Sequence, residues 1–80
     1  SSRNAYYAGG RHIQMSSING ALAMATARKV DYILITYREY KVIEKELLQS
    51  VKEKKIELAY KYPEKESVKR CSIFLYKCLY

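Results

Sequence analysis

The sequence predicts an α/β two-layer sandwich: a four-stranded mixed sheet with two helices on one face, in the order β-α-β-α-β-β. Three observations lead there. Apolar residues recur at helical spacing in two separate stretches, 13–27 and 38–55. A β-branched and aromatic run, VDYILITY at 30–37, stands between them. The final third holds two strand-like segments parted by a short polar link, PEKES, which contains the only proline.

Eighty residues make one domain, 1–80, able to bury roughly 60% of its unfolded surface. Residues 1–4 read as a flexible arm or a remnant of processing. An apolar fraction of 49% excludes a disordered chain, which lacks the surface to offset its ordering entropy.

AYYA at 5–8, followed by Gly9 and Gly10, reads as a brief first strand ending in a turn. In 13–27, Met15, Ile18, Leu22 and Ala25 form one helical stripe. Ser16, Gly20, Ala23 and Ala27 form a second, smooth stripe that permits close backbone approach. VDYILITY has apolar residues on both faces, the mark of a central strand covered on both sides. REYKVIEKELLQSVKEKK is the second helix. Ile43, Leu47 and Val51 lie along its inner stripe with Leu48 beside them, and Glu44, Lys45, Glu46, Lys52 and Lys54 lie outside.

IELAYKY at 56–62 alternates strictly, placing Ile56, Leu58, Tyr60 and Tyr62 on one face. VKRCSIFLYKCLY at 68–80 is the last strand. The PEKES link is too short for a parallel crossover, so the last two strands form an antiparallel hairpin. Helical crossovers join the first three strands, and right-handedness puts both helices on one side of the sheet. The other face is open. Nine tyrosines and no tryptophan carry more hydroxyls than so small a core satisfies, so some of them reach solvent or a partner.

Cys71 and Cys78, both placed on the last strand, point to opposite faces about 23 Å apart. A disulfide requires Cα atoms within about 7 Å, so the two are expected as reduced thiols of an intracellular protein, acting as small hydrophobes. Two thiols and one histidine give no zinc spacing, and neither metal nor cofactor is expected. A catalytic reading finds no Gly-x-Ser-x-Gly, no phosphate-binding loop and no paired carboxylates, so no enzyme is expected.

Charge points elsewhere. Lys and Arg outnumber Asp and Glu 15 to 8, and residues 1–30 carry Arg3, Arg11, Arg28 and Lys29 with no acid before Asp31. Such a field favours a polyanionic partner. Gly9 and Gly10 let backbone approach a phosphate, and Arg11 and His12 add charged donors at what reads as a helix entrance, where free N–H groups and the helix dipole attract anions. Arg38 and Lys41 follow the VDYILITY strand and are expected at the same sheet edge as Arg11. Plainer roles exist: His12 as donor to a loop carbonyl, Arg38 as ion-pair partner of Glu39, the tyrosines as core and interface.

GRHIQMSSINGALAMA, VDYILITYREYKVIEKEL and KRCSIFLYKCLY, taken in this order of elements, resemble the Alba family of small archaeal chromatin and RNA-binding proteins over nearly the whole chain. GRHIQM stands where that family has Gly-Lys-Lys-Pro, with His12 at a lysine and Ile13 at the proline. The resemblance implies an Alba-like fold and a homodimer, or a heterodimer with a paralogue, that binds DNA or RNA without sequence specificity. It implies phosphate contacts by Arg11, His12, Arg38 and Lys41, with Lys65, Lys69 and Arg70 flanking the hairpin. The expected function is therefore a chromatin- or RNA-associated protein that holds the nucleic-acid backbone. The expected location is cytoplasmic, without a membrane partner, since no run of roughly 18 apolar residues occurs. The rival is a protein-interaction subunit that docks through the open sheet face or the smooth helix stripe, its positive charge incidental.

Overall fold

The computed structural model describes residues 4–8, 11–15 and 31–79. Five strands form one sheet: β1 (Asn4–Ala8), β2 (Arg11–Met15), β3 (Tyr32–Thr36), β4 (Ile56–Tyr62) and β5 (Ile73–Cys78). Among the described residues one α-helix, α1 (Tyr37–Lys52), follows β3, and a 3₁₀ turn (Val68–Arg70) precedes β5. The strand order is β2-β1-β3-β5-β4, and every neighbouring pair is antiparallel. This overturns the mixed four-stranded sheet under two helices, and with it the Alba-like topology. Residues 31–79 alone form a three-stranded antiparallel sheet with one helix, and the β1–β2 pair extends that sheet to five strands.

The departure begins at Arg11. RHIQM, expected at the entrance of a helix, is a strand whose residues pair with β1 from Ala8↔Arg11 to Asn4↔Met15. Two residues separate Ala8 from Arg11, the length of a two-residue hairpin connection; Gly9 and Gly10 themselves lie outside the described residues. So does the remainder of the expected first helix, 16–27. Asn4, read as part of an arm, belongs to β1.

Crossovers survive in altered form. β3 and β4 are both antiparallel to β5, hence parallel to each other, and α1 links them across the inserted β5. β2 and β3 stand in the same relation across β1, joined by residues 16–30, which is long enough for a parallel connection.

α1 begins where Thr36-x-x-Glu39 makes a capping box. The Thr36 hydroxyl accepts from the Glu39 N–H at 3.3 Å, and the Thr36 N–H donates to Glu39 Oε1 at 2.9 Å. The helix kinks at Ile43 (φ −114°, ψ 19°). Its inner stripe is Tyr40, Leu47 and Ser50 with half-buried Ile43, and the expected members Leu48 and Val51 are exposed. Tyr40 turns the stripe round by stacking on Phe74, ring centroids 4.6 Å apart.

The helix end is a Schellman motif: the Lys54 N–H donates to Val51 O at 3.0 Å and the Lys55 N–H to Ser50 O at 2.9 Å. Lys54 takes the left-handed position, φ 60°, that glycine usually fills.

The core lies between α1 and one sheet face. Ile33, Ile35, Ile56, Phe74 and Leu47 are fully buried there, joined by Tyr40, Tyr76, Cys71 and Cys78. β3 is central, as expected, yet among the described residues only its Ile33 and Ile35 side is covered; Tyr32 and Thr36 are exposed.

β4 and β5 are antiparallel, as the short link requires, but the strict alternation of β4 fails. Leu58 pairs with Tyr76 and Tyr60 with Leu75, leaving Ala59 as an extra residue in a bulge. Beyond it Tyr60 and Tyr62 lie on the face away from α1.

β5 starts at Ile73 and not at 68. Ser72 N–H donates to Tyr62 O at 2.8 Å, closing the ladder, and the 3₁₀ turn occupies the residues before it. Cys71 therefore precedes the strand and the expected spacing along one strand does not apply. Both cysteines are free and buried.

Candidate nucleic-acid interface

The helix start and the β4–β5 link meet at one end of the sheet. Tyr37 N–H donates to Ser72 O at 2.9 Å, tying the first turn of α1 to the end of the link. Arg38 and Lys41 come from α1, and Lys65, Lys69 and Arg70 from the link; all five are exposed. Among the described residues the ion pair is Lys55 with Glu53 at 3.2 Å, so none of the five is neutralised by a close carboxylate. Glu39, the neighbour that an ion pair with Arg38 requires, is buried in the capping box. Lys41 Nζ lies 5.8 Å from the centre of the Tyr37 ring, a cation–π contact that keeps its charge at this surface.

The link has its own scaffold. Lys61 Nζ donates to Glu64 O at 2.5 Å and to Glu66 O. Cys71 Sγ lies 3.1 Å from Pro63 O and 3.6 Å from Glu66 O, and the Glu66 N–H donates to Pro63 O at 3.2 Å. Lys61 is thus turned onto loop carbonyls, while Lys65, Lys69 and Arg70 stay outward. The Glu64 and Glu66 side chains are the exposed acids between them.

Arg11 and His12 do not join this group. β1 runs antiparallel to β3 with Tyr7 opposite Tyr32, so Ala8 and its partner Arg11 lie at the end where β3 begins, whereas Arg38 and Lys41 follow where β3 ends. Five strand residues separate the two ends, about 13 Å or more. The expected convergence at one sheet edge required parallel strands, and the hairpin reverses one of them. Nor are Arg11 and His12 at a helix N-terminus: both pair in β2. Gly9 and Gly10, the rest of that cradle, lie outside the described residues. The N-terminus of α1 is occupied by its own Glu39 carboxylate.

A second surface was not foreseen at its true position. On the face away from α1, register rows run Tyr32–Lys77–Glu57, Leu34–Leu75–Tyr60 and Thr36–Ile73–Tyr62. Among the described residues no element packs over these rows, and Tyr32, Tyr60 and Tyr62 are 38%, 40% and 54% exposed. The bulge that brings Tyr60 and Tyr62 here leaves no mark in an apparently regular alternation; only a small residue, Ala59, stands at the slip.

Burial also acts on the titratable groups of the covered face. Burial pushes the Cys78 thiol up to about 11, helped by Asp31, and the Tyr76 hydroxyl up to about 12, helped by Tyr40. The Tyr40 hydroxyl is also raised, by burial first and then by Glu44. Burial thus favours the neutral form of all three groups. Among the described residues no three His, Cys, Asp or Glu side chains gather as a metal site, and no helix is long and apolar enough to cross a membrane. No protein family, curated protein or solved structure matches the chain, so its functional reading rests on these residues alone.

Proposed function

We infer that the protein binds nucleic acid without sequence specificity, holding the phosphate backbone at the end of the sheet where α1 begins. One observation carries the reading: Arg38, Lys41, Lys65, Lys69 and Arg70, from two separate segments, are exposed at one end, and among the described residues none of them is in an ion pair. A formal net charge of +7 supports it, since lysines and arginines that neutralise phosphates release the counterions condensed on the nucleic acid, and that release favours binding.

If all five cations contact duplex phosphates, the logarithm of affinity falls with the logarithm of salt at a slope of about −4.5, so a fourfold rise in salt weakens binding by roughly two to three powers of ten. Electrophoretic titration of mixed-sequence DNA and RNA across that range measures it. Arg38→Glu combined with Arg70→Glu sharply weakens the binding and flattens the slope. Affinity that ignores salt, or survives the double variant unchanged, overturns the reading and favours a protein-interaction surface.

A further inference from the structure

The open sheet face has an edge that continues into the cationic end. Its last row, Thr36–Ile73–Tyr62, ends at Tyr62, the residue immediately before the link that carries Lys65, Lys69 and Arg70. Tyr60 lies one row behind on the same face. The two rings belong to the outermost strand, so a ligand reaches them from the side as well as from above. The charged residues of the three rows, Lys77 and Glu57, are paired with each other in the row away from the link, beside Tyr32. The two rows that hold Tyr60 and Tyr62 carry no charged side chain, and the cations nearest to these rings are those of the adjoining link.

We propose that Tyr60 and Tyr62, with Tyr32 behind them, form a stacking platform for the unpaired bases of a single-stranded nucleic acid whose backbone lies on the cationic link. The proposal rests on the phosphate-binding reading and deepens it by naming the form of the partner. Duplex bases present only their edges, whereas a single strand exposes ring faces that pack on aromatic side chains whatever the sequence. The bulge at Ala59 is the device: without the extra residue, Tyr60 and Tyr62 fall on the side of α1, where Phe74 and Tyr40 already fill the space. The apolar neighbours Ile73 and Leu75 supply the greasy floor between the rings.

The test compares one mixed-sequence oligonucleotide, labelled for fluorescence anisotropy, as a single strand and as a duplex at the same ionic strength. It uses the whole protein and the variants Tyr60→Leu, Tyr62→Leu, Tyr60→Phe and Tyr62→Phe. Leucine keeps apolar area but loses the ring, and each leucine variant weakens single-strand binding roughly tenfold or more with duplex binding unchanged. The phenylalanine variants, which preserve the ring and guard against misfolding as an explanation, bind like the parent. Leucine variants that hold single strands as tightly as the parent, or that lose both forms equally, overturn the platform while leaving phosphate binding intact. Failure of the parent to bind either form overturns both. Sedimentation adds the remaining outcome: a dimer that Tyr60→Glu with Tyr62→Glu dissociates assigns the face to a second copy and overturns the proposal.

Discussion

Individual side chains in this small core decide more than their share. Tyr40 is an amphipathic residue near the start of α1, yet its ring stacks on Phe74 and sets which side of the helix faces the sheet. Thr36 ends β3 and caps α1 in one step, so strand and helix follow each other without a loop. The buried Cys78 thiol has a measurable consequence. Its folded-state value of about 11 stands above the ordinary 9, and that of Tyr76, at about 12, stands above 10. The folded protein therefore holds these protons more tightly than the unfolded chain. The stabilisation is complete below about pH 9 and is lost as pH rises towards 11 to 12. Urea denaturation midpoints across the alkaline range should decline over that window. Cys78→Ala should flatten the first part of the decline, whatever it changes in absolute stability. A decline of the same shape in the variant means another group titrates.

Among the elements, α1 and β4 show how local rules meet tertiary demand. The C-terminus of α1 makes both Schellman hydrogen bonds, but a lysine holds the left-handed position. A Cβ there costs about 1 kcal/mol or more, so Lys54→Gly should stabilise the domain by somewhat less than that, after the greater entropy of the unfolded glycine is offset, and raise the melting temperature by a few degrees. A lower melting temperature would show that the lysine side chain makes a contact worth more than the strain. β4 illustrates the opposite case, where partner geometry overrides pattern. Period-two alternation correctly marks Ile56–Tyr62 as a strand, but which face each residue takes depends on where β5 lets the ladder slip.

At the level of the whole molecule, the antiparallel pairing of β1 with β3 places Arg11 of β2 at the end of the sheet opposite the start of α1. Sites separated in this way act independently. Arg11→Glu should leave the salt slope of nucleic-acid binding unchanged, whereas Arg38→Glu with Arg70→Glu flattens it, and the effects of all three should add. Strong coupling between Arg11 and Arg38 in a double-mutant cycle would mean that one ligand bridges both ends.

Much of the second half of the chain was legible from residues alone: the β3 run, the amphipathic α1, the IELAYKY strand, the antiparallel hairpin and the two free thiols. These follow from backbone period, residue type and link length, which act over a few residues. The first half carried a readable signal that a helical interpretation passed over. Gly9-Gly10 stands between a tyrosine-rich run and the alternating Arg-His-Ile-Gln-Met, the pattern of a two-residue hairpin. The placement of the candidate cations was legible only in part. Arg38, Lys41, Lys65, Lys69 and Arg70 were named from sequence and do share an end, but Arg11 and His12 were added on a strand direction that only pairing could reveal. Local chemistry thus determined which segments become strands or helix and which residues carry charge. Tertiary structure decided strand order, direction and the bulge at Ala59, because hydrogen bonds between distant strands depend on which partner is found and not on the period within either one.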